Sequence, residues 1–146
     1  MHSEDPTVIR SLAVHREDVV TALEANAGRG ATAVLRVTPP FNGRMRARLH
    51  LAGGEGGYES APAPIHIPPE RFVSGTAPAY PEPDETEDQL RSAGATATET
   101  VDPEQHREVH TARVADWRTA VGEALLEQVT IDTTAGDHDV AVLPLG

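Results

Sequence analysis

The sequence predicts an α+β domain: a mostly antiparallel sheet of about five or six strands, with two main helices packed on one face. Three observations carry this. Residues 44–51, RMRARLHL, alternate strictly, with Met45, Ala47, Leu49 and Leu51 on one side and Arg44, Arg46, Arg48 and His50 on the other. Residues 106–125 place His106, His110, Val114, Trp117, Val121 and Leu125 at steps of three and four, the spacing of one helical face. At 146 residues the chain has the length of one domain, and it buries on the order of two thirds of its unfolded surface.

The elements follow in order. Residues 8–14, VIRSLAV, are apolar and β-branched enough for a first strand. A helix is read from Arg16 to Ala27. Glu17 and Asp18 occupy its electrostatically favourable first turn, Val19, Val20, Leu23 and Ala27 sit at helical spacing, and Gly28 offers a stop. Residues 31–38 form a strand ended by Pro39 and Pro40. The TPPFNG connection, with its Asn42-Gly43 turn pair, makes an antiparallel hairpin with residues 44–51. Residues 52–64 read as a loop rich in Gly, Pro and Ala. A short strand at Ile65 to Ile67 follows, then a turn or single helical turn from Pro68 to Arg71.

The segment at about 74–101 mixes Pro, acids, Ala and Thr and is expected to be mobile, apart from one short helix at Asp84 to Arg91. Asp102 then caps the long helix, with Pro103 at its first position and Gln105 completing a capping box. This helix is expected to reach Glu127 and to lay Trp117, Val121 and Leu125 on Leu35, Val37, Met45, Ala47 and Leu49. A hairpin of residues 129–133 and 138–143 around Ala135-Gly136-Asp137 closes the domain, which spans 1–146 as a single unit.

Composition speaks about habitat. The chain has twelve arginines and no lysine, no cysteine, and a net charge of -11. Carboxylates hold water in concentrated salt, and arginine supplies positive charge on a planar, weakly hydrated head. The expectation is a halophilic protein. Its apolar fraction of 38% is lean, which salt-strengthened burial would offset. Without cysteine there is no disulfide framework, no thiolate metal site and no cysteine nucleophile. The MHSEDPTVIR start carries early acids rather than a secretory signal, and no apolar run is long enough for a membrane helix, so a cytoplasmic location is expected.

Four stretches carry a resemblance: DPTVIRSLAVH (5–15), AVLRVTPPFNGRMRARLH (33–50), YPEPDETEDQLR (80–91), and the last helix with its hairpin. On these the chain resembles a family of small uncharacterised haloarchaeal proteins, a domain of unknown function. The resemblance covers most of the chain except the Gly-rich loop. It implies the halophilic habitat and no catalytic residue.

Two constellations carry candidate chemistry. No acid lies between Glu24 and Glu55, yet Arg29, Arg36, Arg44, Arg46 and Arg48 do. Guanidinium forks suit phosphate, and Phe41 in the adjoining loop is placed to stack on a base, so Arg36, Phe41, Arg44, Arg46 and Arg48 form a candidate surface for RNA, single-stranded DNA or another anion. The plainer reading pairs these arginines with acids of the same chain, and the segment from Glu82 to Asp88 is a candidate shield for them. His106 and His110 stand four apart, the spacing that lets two imidazoles share a metal. Glu108 lies about 200° around the helix from His106, so a third ligand would have to come from His50, His66 or His15. The plainer reading there is a polar continuation of the core stripe.

No catalytic residue is assigned. Ser11, His15 and Asp18 lack a nucleophile elbow, and the 53–57 glycine loop lacks the Lys-Ser/Thr of a phosphate loop. Glu85, Glu87 and Asp88 are read as solvated surface. The function expected is that of a non-enzymatic accessory or interaction module without a cofactor. Nucleic-acid binding is the first alternative and metal-dependent catalysis at His106 and His110 the second. A protein or nucleic-acid partner fits these expectations; a membrane does not.

Overall fold

A computed structural model describes residues 4–28, 32–52, 63–93 and 101–146. Among the described residues seven strands and three α-helices form a mixed α+β fold. Asp5 caps a 3-10 turn at Pro6–Val8, its carboxylate accepting from the Thr7 amide. That turn takes Val8; Ile9 and Arg10 follow outside any strand, and the expected 8–14 strand begins only at Ser11. Strand β1 then runs Ser11–His15 and leads directly into α1, Arg16–Gly28. β2 is Thr32–Val37, β3 Arg44–Arg46, β4 Arg48–Ala52 and β5 Ile65–Ile67. A second 3-10 turn, Pro69–Phe72, precedes α2, Pro83–Ala93, and α3, Pro103–Gly122. β6, Gln128–Thr133, and β7, Gly136–Leu145, form the closing hairpin, in which Gly136 adopts a φ of 109° that a side chain would disfavour.

The single sheet of five or six strands is corrected to two sheets. One has the order β3-β1-β7-β6, the other β4-β2-β5. They meet where the strictly alternating stretch changes partners. Residues 44–46 pair in parallel with β1, ending at Ala13 opposite Arg46, and the Ala47 amide still donates to the Ala13 carbonyl. From Arg48 onward the chain pairs antiparallel with β2, Leu49 opposite Leu35. The expected hairpin between β2 and the arginine-rich strand is therefore present, but its near end belongs to the other sheet. Buried Ala47 marks the crossing point.

The core lies between the sheets. Ile9, Leu12, Val14, Leu35, Val37, Ile67, Ile131, Val140 and Val142 enclose Val19 and Ala22 from α1, together with Phe41 and Phe72. Met45 and Leu49 pack against it, as does Leu125 from beyond α3. The helices do not share one sheet face. α1 packs on β2, α3 packs on α1, and α2 packs on α3. Trp117 and Val121 accordingly join Val20 in a second cluster with Leu23, Val73 and Tyr80, rather than covering Leu35 and Val37. The apolar stripe of α3 is real. Its partner is a helix, because α1 already occupies the inner side of the sheets.

The 74–101 segment is described for residues 74–93, while 94–100 lie outside the described residues. Within it the Trp117 indole donates to the Pro78 carbonyl at 3.0 Å, and its ring meets Tyr80 edge-on at 4.9 Å. Burial and neighbouring Glu24 raise the Tyr80 phenol above its ordinary 10.0.

Candidate functional site

Alternation decides where the arginines point. Met45, Ala47 and Leu49 face the core, so Arg44, Arg46, Arg48 and His50 share the opposite, outer side of one chain stretch that runs through both sheets. Successive guanidinium stems are then roughly 6.7 Å apart along the strand. Arg44, Arg46 and Arg48 are exposed, and among the described residues no carboxylate pairs with any of them. The register sets Arg36 of β2 directly across from Arg48, and His66 of β5 on the other side of Arg36. Like charges directly opposite are unfavourable in a sheet unless something lies between them. Arg36 is half-buried, and its Nη1 lies 3.2 Å from His50 Nδ1. His50 in turn stacks on His66 with ring centroids 5.4 Å apart.

The outer side thus carries Arg36, Arg44, Arg46 and Arg48 with two imidazoles. Alternation already put His50 on this side, as the next outward position after Arg48, whereas His66 was expected only as a distant metal ligand. His66 is brought to Arg36 by β5 pairing, which local spacing does not encode.

Phe41 does not belong to this surface. Its ring is 1% exposed in the main core, so it has no face to offer a base. Arg29 and the 53–57 glycine loop lie outside the described residues. The proposed shield is also elsewhere: Pro83–Ala93 forms α2 and docks on α3. There Thr86, fully buried, accepts from Arg113 at 2.7 Å and bonds His110 Nδ1 at 2.8 Å, while His106 Nε2 donates to the Pro83 carbonyl at 3.0 Å. His106 and His110 do share a face, stacked at 5.8 Å. Both rings are engaged in holding α2, and among the described residues no group of three His, Asp or Glu gathers where it could hold a metal ion.

Arg44, Arg46 and Arg48 differ from the arginines that join the helices. Arg118 reaches from α3 to Glu17 and to Glu24, the latter at 2.6 Å, and Arg16 donates to the Gly122 carbonyl at 2.7 Å. A cavity of about 600 Å³ opens beside that contact at the carboxyl ends of β1 and β7. Its polar lining is mixed: His15, Arg16, Glu17, Thr119 and Glu123. No described helix is long and apolar enough to cross a membrane.

No curated protein and no solved structure matches the chain. A family model covers residues 1–146 in full, and the chain belongs to that family, Domain of unknown function (DUF8009).

Proposed function

We propose that this protein is a non-enzymatic interaction module that docks an acidic protein surface on its arginine-bearing sheet face. The observation that carries the reading is the contrast between a net charge of -11 and an exposed row, Arg44, Arg46 and Arg48, that no described carboxylate neutralises. Carboxylates on an extended partner recur at the same two-residue spacing, so each can meet one guanidinium fork in bidentate geometry. Rim charges of this kind steer association and fix orientation more than they add raw affinity.

An acidic protein is favoured over nucleic acid because no described Phe, Tyr or Trp ring stands on this face, and single-strand binders rely on such rings. The lysine-free, acid-rich composition supports a cytoplasmic setting of concentrated salt. Phosphate contacts weaken steeply there, which also favours a protein partner. The histidine pair on α3 supports a structural rather than a metal-dependent role, since it fixes α2.

The test compares binding of fluorescent poly-glutamate and of single-stranded RNA by wild type and by Arg44→Ala/Arg46→Ala/Arg48→Ala, at the lowest salt that keeps the fold. Poly-glutamate binding that disappears in the triple variant is expected. Stronger RNA binding, lost in the same variant, would move the assignment to nucleic acid. No binding of either probe would return the arginines to the role of a charged edge that blocks strand addition.

A further inference from the structure

Three strands of the larger sheet, β3, β1 and β7, run parallel side by side. Parallel strands are ordinarily covered on both faces. Here the inner face is packed, with Leu12, Val14, Val140, Val142 and Met45 meeting the core. No described helix is seen to pack on the outer face: α1 contributes Val19 and Ala22 to the core side, α3 packs chiefly on α1, and α2 on α3.

The register lays out what that outer face presents. Ser11 stands between Ala141 and Arg44, and Ala13 between Leu143 and Arg46. The middle is therefore small and uncharged, with Leu143 left 47% exposed. Beyond β7 the face ends in an acidic corner. Asp132 of β6 lies opposite Asp137, and Asp139 opposite Thr130. Arg71 pairs with Asp132, and the Thr130 hydroxyl donates to Asp139, so Asp137 and Asp139 have no cationic partner among the described residues. Among the described residues one open face thus runs from a cationic edge at β3, across small residues, to an anionic corner at the β6–β7 hairpin.

Such a face is complementary to itself. We infer that a second copy of this chain covers it, in a two-fold dimer that stacks the outer faces of the two four-stranded sheets. A two-fold axis lying in the plane of the face sets the Arg44–Arg46 edge of each copy over the Asp137–Asp139 corner of the other, so each charge contact is made twice. Ser11, Ala13 and Ala141 let the backbones approach to the roughly 10 Å of packed sheets, and Leu143 is buried at the centre. The inference rests on reading the arginine row as a docking surface. It names what fills the Arg44–Arg46 half, while Arg36 and Arg48 stand on the adjoining sheet.

The experiment is sedimentation equilibrium of the full chain at the lowest salt that keeps it folded, with circular dichroism on every variant. Wild type is expected at twice the 15.5 kDa chain mass. Leu143→Arg, and separately Leu143→Gln should the first fail to fold, weakens association by about tenfold or more. Arg44→Asp/Arg46→Asp weakens it similarly, and adding Asp137→Arg/Asp139→Arg restores it. A wild type that stays monomeric overturns the dimer, as does a dimer indifferent to Leu143 and to the charge exchange. Poly-glutamate binding separates the two readings: a monomer that still binds the probe through the arginine row loses the dimer alone, and a chain that binds no probe but dimerises with the charge-exchange pattern loses only the acidic partner.

Discussion

The helix side and the sheet side of this molecule use the same residue for opposite ends. On the helix side arginine is mortar: Arg118 joins α3 to Glu17 and Glu24 of α1, Arg113 reaches buried Thr86 of α2, and Arg16 holds the end of α3 through Gly122. On the sheet side Arg44, Arg46 and Arg48 stand exposed on an outer face, with no described carboxylate beside them. The difference follows from neighbours. A helix packed on another helix brings long side chains to a seam where acids are at hand, whereas an alternating strand sends every second residue outward. Charge that assembles the fold and charge left exposed on the sheet are therefore separable by substitution.

The largest effect expected is that of salt on the whole molecule. Transfer from molar KCl to dilute buffer removes screening from 23 carboxylates over a lean core. The thermal midpoint should fall steeply and the protein unfold or become molten; a midpoint indifferent to salt breaks this part of the account. Next comes the helix seam. Trp117, 6% exposed, fills the space between α1 and α3, so Trp117→Ala should cost about 3–5 kcal/mol in denaturant unfolding. Arg118→Ala should cost about 1–2 kcal/mol, chiefly through Glu24, because Glu17 is largely exposed and its share is screened. On the sheet side each of Arg44→Ala, Arg46→Ala and Arg48→Ala should change stability by no more than about 0.5 kcal/mol. A larger loss would mean that these arginines build the fold after all.

The smallest effect lies at the rim. The hydrogen bond from Arg71, and then its charge, hold the Asp132 carboxyl below its ordinary 3.8. A folded value below the unfolded one stabilises above that ordinary value, and the contribution disappears as pH falls through the lowered value. The difference in thermal midpoint between wild type and Arg71→Ala should therefore be present near neutrality and shrink in acid.

What local chemistry encodes was legible in advance. The first-turn acids and terminal glycine of α1 placed it within a residue of Arg16–Gly28, Ile65–Ile67 is the strand expected, and Asp102 with Pro103 starts α3, the carboxylate accepting from the Glu104 amide. The outward direction of Arg44, Arg46 and Arg48 followed from alternation alone. What depends on distant partners was not. Nothing in RMRARLHL marks Ala47 as the point where one sheet gives way to the other, since both pairings accept the same alternation. The stripe on α3 suits a helix or a sheet as partner, and only the position of α1 decides. Phe41 sits among turn residues without periodicity, so its burial has no local signal. The 3-10 turn at Pro6–Val8 did have one, in the Asp5 cap and Pro6, and the β-branched run after it masked that signal.

The central claim is that the sheet-side arginines are charge held for an anionic protein partner. Titration of fluorescent poly-glutamate into wild type and Arg44→Ala/Arg46→Ala/Arg48→Ala, with thermal midpoints measured in the same buffer, tests it most directly. Saturable binding by wild type, loss of that binding in the triple variant, and midpoints that differ little are expected. Equal binding by both proteins, or a triple variant that no longer folds, would contradict it.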